Sequence, residues 1–176
     1  EIVHGIPKAS MILKDGDIIS IDLATSYDGF VGDTATTVGC GSVSKEIPKL
    51  MEISEQCLWE GINASQADNY VGDIGHAIQT YLEKHSFHVV KSYYGHGIGR
   101  QMHEDPMIPH HGFPKSGLKL EEGLVFTIEP MVCMKSDQTK ELEDGWTVVS
   151  ADGMPAAHFE HTLVITKNGP IVLTKL

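Results

Sequence analysis

The chain carries two aspartates on one expected hairpin and a histidine set among glycines, and both patterns suit cation chemistry. In "GDIISIDLATSYDGFVGDTATTVG", residues 16–39, two β-branched runs flank Asp28-Gly29, a two-residue turn signal. A turn centred there puts Asp22 opposite Ala35 and Asp33 opposite Ala24. Asp22 and Asp33 then share a face as diagonal neighbours, about 7–8 Å apart at most. Aspartate is a poor strand former, and two carboxylates among apolar strands repel unless something positive lies between them. A solvated strand face is the plain alternative; a divalent cation accounts for both residues at once.

The loop "YYGHGIGRQMHEDP", residues 93–106, places Gly95, Gly97 and Gly99 around His96, with His103 seven positions on. Glycine permits unusual backbone angles and close approach, so this is either a tight loop or space for a metal or substrate beside His96. An internal repeat adds two further acids. "GDIISID" (16–22) overlays "GLVFTIE" (123–129), matching Asp22 to Glu129, and "VGDTA" overlays "HFEHT", matching Asp33 to Glu160. Four carboxylates and one imidazole form a hard, oxygen-rich donor set. It suits two divalent ions bridged by carboxylates better than a structural zinc.

These residues need a scaffold, and the pattern predicts an α+β fold. A helix is expected over 44–62 with Ser44 as N-cap, and a second over about 68–85 with Val71, Ile74, Ile78, Tyr81 and Leu82 inward. Strands are expected over 88–94, 123–132, 145–152 and 156–166, in a largely antiparallel sheet. The 176 residues suit one domain. The net charge of −11 disfavours nucleic acid and anionic membranes as main partners. Three scattered cysteines, Cys40, Cys57 and Cys133, form no disulfide framework and read as buried small hydrophobes in a reducing compartment. No apolar run approaches the roughly 18 residues of a membrane span.

"HGIP" (4–7), "IDLA…GDT" (21–34), "YGHGIGRQMHEDP" (94–106), "FTIEPM" (126–131), "DGWT" (144–147) and "FEHT" (159–162) together resemble the type I methionine aminopeptidases, in order and through nearly the whole chain. The resemblance implies the pita-bread fold: two pseudo-symmetric halves with a curved, largely antiparallel sheet covered by helices. It implies one metallopeptidase catalytic domain over 1–176, lacking the N-terminal segment that precedes "HGIP" in the family. It implies two divalent ions (Co, Mn, Fe or Zn), with Asp22 on one, His96 and Glu129 on the other, and Asp33 and Glu160 bridging. By the same resemblance Glu129 moves protons, His103 donates to the substrate carbonyl and His4 sits by the amide nitrogen. Met102, where relatives often carry phenylalanine, and Trp146 line the methionine pocket. The implied substrates are N-terminal methionine peptides and nascent polypeptides, with the ribosome a candidate partner. The chain is expected to be monomeric and cytoplasmic, or organellar after loss of a targeting peptide.

Only 30 residues separate Glu129 from Glu160, which leaves no space for the helical insertion of type II enzymes. Two other readings stay open: a related Xaa-Pro-type peptidase, and an inactive pita-bread module that binds peptides or proteins. Taken alone, Trp146 could be an ordinary core tryptophan. His161 reads as a structural neighbour of Glu160, and His110 and His111 as an exposed loop pair.

Overall fold

A computed structural model describes residues 1–175. The predicted hairpin forms with the predicted register: β1 (Ile18–Tyr27) and β2 (Phe30–Gly39) pair Asp22 with Ala35 and Ala24 with Asp33. Asp28 and Gly29 both take positive φ, 50° and 77°, the backbone that matches a two-residue turn to strand twist. The first helix, α1, runs Glu46–Ala64. Lys45 occupies its N-cap with no side-chain cap bond, so Ser44 lies one position too early; it contributes its carbonyl, which accepts the Ile47 N–H at 3.1 Å. The second, α2, spans Val71–Lys84, and Asp73 Oδ2 accepts the Tyr70 N–H at its start.

The later strands are shorter than expected. They are β3 (His88–Val89), β4 (Gly95–Gly97), β5 (Glu104–Ile108), β6 (Val125–Ile128), β7 (Met131–Cys133), β8 (Thr139–Glu141), β9 (Val148–Ser150), β10 (Ala156–His158), β11 (Glu160–Thr166) and β12 (Gly169–Val172). The main sheet runs β1-β2-β11-β6-β4-β5, with β12 on β11, and a second sheet runs β10-β7-β3. All its pairings are antiparallel. The expected strands 123–132 and 156–166 each divide in two. One breaks at Glu129-Pro130, the other at Phe159, and each half then pairs in a different sheet. Pro130 has no N–H to donate to a ladder. The breaks therefore fall at Glu129 and beside Glu160.

The approximate two-fold relation is visible where β2 meets β11. Glu160 stands opposite Ala35, two residues past Asp33, and Thr162, two past Glu160, bonds the Asp33 backbone. Helices α1 and α2 pack on one face of the sheet, where Leu50, Leu58, Ile74 and Ile78 meet Phe126, Ile128, Leu163 and Ile165. They leave the outer face of β1 open, with Ile21 and Leu23 exposed. The other face, bearing Asp22, Asp33, Glu129 and Glu160, carries the site. Among the described residues, no helix is long and apolar enough to cross a membrane.

Candidate metal centre

Ligand-type atoms of Asp33, His96 and Glu160 all lie within 4.8 Å of one another. Glu129 joins them through His96, whose Nε2 is 3.4 Å from Glu129 Oε1 and 4.0 Å from Asp33 Oδ2. Asp22 sits on the more open side, across the hairpin from Asp33. Its carboxyl is pushed up to about 6, first by burial and then by the Asp33 charge. Glu129 and Glu160 are held far above the usual carboxylate range. Burial is the main cause for both, and the charges of Asp33 and Asp22 add to it.

The donor set fits a cation. Asp33 Oδ1 and Glu160 Oε1 are buried without any hydrogen-bond partner, an arrangement that is costly for carboxylates unless a proton or metal joins them. His96 Nδ1 lies 3.0 Å from the Gly97 carbonyl, so the neutral ring donates there. Its bare Nε2 lone pair then faces carboxylate oxygens, and burial holds the ring below its ordinary pKa. Acceptors turned toward one another suit the space around a positive ion.

The glycines around His96 answer to close backbone neighbours, a role that neither sequence reading named. A Cβ on Gly95 would collide with the Thr127 carbonyl of β6, and one on Gly97 with the Asp105 carbonyl of β5. The third, Gly99, faces the Glu104 side chain at 3.2 Å. Gly95 and Gly97 thus let β4 fit between two backbones and carry His96 into the cluster. Gly97→Ala is expected to lose about 1–3 kcal/mol through overpacking, seen as a lower urea midpoint; an unchanged midpoint would contradict this account.

Of the remaining expected residues, His103 touches this cluster directly. His103 is exposed and its ring meets the His96 ring edge-on at 4.3 Å. His4 stacks on Trp146 at 4.2 Å and touches Tyr93 edge-on. Trp146 is 51% exposed, which rules out the core reading for it. Met102 is exposed in the bend before His103. His161 turns to Trp59 and to Thr174 Oγ1 and takes a packing role. Cys57 and Cys133 are buried as expected, whereas Cys40 is only half-buried.

The reading of His110 as an exposed loop residue is wrong. It is fully buried, and its Nε2 accepts the Glu129 N–H at 3.1 Å. Residue 129 lies just past the last paired residue of β6, so its N–H needs an acceptor from elsewhere. His111 is half-buried, and its Nε2 is buried without a partner. His158, also overlooked, is buried, and burial first and then the His4 charge push its pKa down to about 4. Tyr93 and Thr127 were overlooked as well; Thr127 stood in plain view two residues before Glu129.

The profile of metallopeptidase family M24 matches residues 1–167. Methionine aminopeptidase 1 of Bacillus subtilis (strain 168) is 48% identical over 176 residues, covering 100% of this chain and 71% of the relative. The methionine aminopeptidase of Clostridium perfringens is 49% identical over 174 residues, covering 99% of this chain and 70% of the relative. The crystal structure of Thermotoga maritima methionine aminopeptidase superposes with a TM-score of 0.95 at 40% identity, over 98% of this chain and 69% of that one.

Proposed function

The chain belongs to metallopeptidase family M24, and we propose that the reaction it catalyses, hydrolytic removal of N-terminal methionine from peptides and nascent polypeptides, runs at a centre of two divalent ions. Residues 1–176 act as one catalytic domain. Asp22, Asp33, His96, Glu129 and Glu160 would hold the ions. The observation that carries this reading is the buried acceptor cluster, in which two carboxylate oxygens lack partners and the His96 Nε2 faces carboxylates. Manganese, iron, cobalt and zinc all accept such donors. When bound, the ions supply Lewis acidity that makes water nucleophilic near neutral pH and polarises the scissile carbonyl.

The protein side chains supply the rest. Glu129, ionised beside the metal charge, would take a proton from the attacking water and pass it to the departing amide nitrogen. His103, beside His96, donates to the carbonyl oxygen as it gains charge. The His4 ring, fixed against Trp146, stands ready at the scissile nitrogen. Met102 and Trp146 offer exposed apolar surface to the methionine side chain. A free α-amine suits the acidic site and restricts cutting to the first residue. Nascent chains as substrates make the ribosome a candidate partner; a monomeric state and a cytoplasmic or organellar-matrix setting complete the reading.

The test is methionine release from Met-Ala-Ser with added manganese or cobalt, alongside metal content and an Ala-Pro peptide. His103→Ala is expected to lower kcat by about 10²–10³-fold while metal content holds. Cleavage of Ala-Pro in preference to Met-Ala-Ser would favour the Xaa-Pro reading. Bound metal with neither peptide cleaved would favour a binding module.

A further inference from the structure

Thr127 lies on β6, two residues before Glu129, and is fully buried. Its hydroxyl oxygen accepts the His96 N–H at 2.9 Å, donates to Glu129 Oε1 at 2.8 Å, and stands 3.5 Å from the His96 carbonyl. A hydroxyl has one proton, and the short contact with a carboxylate takes it. The only ladder pair between β4 and β6 among the described residues is Gly97 with Phe126. At His96 the threonine side chain therefore replaces the missing backbone bond.

Two other buried threonines bridge strands in the same way. Thr162 bonds the Asp33 N–H and carbonyl, and Thr37 bonds those of His158. Of the three, Thr127 alone gives its proton to a carboxylate. In the internal repeat its counterpart is Ser20, two residues before Asp22, and that hydroxyl bonds Thr37 instead. Aspartate is one methylene shorter than glutamate and reaches less far back along its own strand. The longer Glu129 folds back onto Thr127.

We propose that Thr127 is a positioning residue for the metal centre: its one hydroxyl sets the direction of the Glu129 carboxylate and the place of the His96 backbone, so that both reach one ion. This rests on the assignment of His96 and Glu129 as ligands. Groups that orient metal ligands without touching the ion commonly govern affinity by 10–100-fold.

The test is calorimetric titration of Mn²⁺ into the metal-free full chain and its Thr127→Val, Thr127→Ser, Thr37→Val and His96→Ala variants, with circular dichroism and thermal unfolding of each. Thr127→Ala takes the place of the valine variant should that misfold. Thr127→Val is expected to bind Mn²⁺ about 10–100-fold more weakly, with kcat falling and KM nearly unchanged. Thr127→Ser is expected to restore both. Thr37→Val, which removes a similar bridge away from the ligands, is expected to lower Tm and keep the affinity. Unchanged affinity in Thr127→Val, with His96→Ala weakened, overturns the proposal alone. Equal weakening by Thr37→Val reduces Thr127 to general packing and also overturns it. Unchanged affinity in His96→Ala overturns the ligand assignment and the proposal with it.

Discussion

Glu160→Gln is expected to make the metal-free protein more stable and, at the same time, to abolish methionine release. Glu160 is 2% exposed and its Oε1 has no partner. Burial and the charges of Glu129, Asp33 and Asp22 hold its carboxyl well above the range it has in an unfolded chain. Without metal at neutral pH, folding therefore requires this group to take up a proton it would otherwise release. At 1.36 kcal/mol per unit, that penalty reaches about 3 kcal/mol near pH 7. Glutamine has the same shape, carries no charge, and its amide can donate to neighbouring carboxylates. Its advantage should vanish as pH falls below 4.5, where glutamate becomes protonated in both states. With metal the order inverts: the amide is a poor bridge, and activity should fall by about 10³-fold or more. Thermal unfolding with a chelator, set beside the Met-Ala-Ser assay, reads both effects. A variant less stable than the parent without metal, or one retaining activity, would remove Glu160 from the centre.

The hairpin and its acids were legible because the constraints are local. Asp28 and Gly29 admit one tight turn, and once the turn is set the register follows residue by residue. Glu129 and Glu160 were legible through the repeat, since strand patterning with a terminal acid survives in both halves. What escaped is what depends on distant partners. The glycines beside His96 answer to carbonyls at residues 105 and 127, and no feature of residues 93–106 announces that approach. His110 looks like a loop residue beside Pro109 and His111. It is drawn inside because Glu129 ends its ladder and leaves an N–H without an acceptor. The strand breaks follow the same logic: Pro130 marks one in the sequence, whereas Phe159 gives no local sign of the other. Trp146 lies in a turn closed by Asp144, whose Oδ1 accepts the N–H groups of Trp146 and Thr147, and so is presented to His4 instead of the core.

The pH profile of stability should differ in sign with and without metal above neutrality. In the metal-free protein, Asp22 is raised from 3.8 to about 6, and Glu129 and Glu160 are raised further from 4.5. Across those windows the folded state binds more protons than the unfolded one, so stability is lost as pH rises. Buried His110 and His158 act in the opposite direction. Burial lowers them from 6.5 to about 3 and about 4, so the unfolded chain binds protons first and stability is lost as pH falls below 6.5. The two sets oppose one another between about 4.5 and 6.5, and the metal-free optimum should lie in that interval. From 6.5 to 8 the carboxylates act without opposition, and the urea midpoint should fall. A divalent ion reverses this arm: its charge draws the same carboxyls below their unfolded values, and an ion at 100 times its Kd adds about 2.7 kcal/mol. The manganese-loaded protein should therefore hold or gain stability over the interval in which the chelated protein loses it. Urea midpoints at half-unit steps from pH 4 to 9, with Mn²⁺ or a chelator, make the comparison. A chelated protein whose midpoint rises between 6.5 and 8 would mean that the fold does not hold these buried acids in the protonated form.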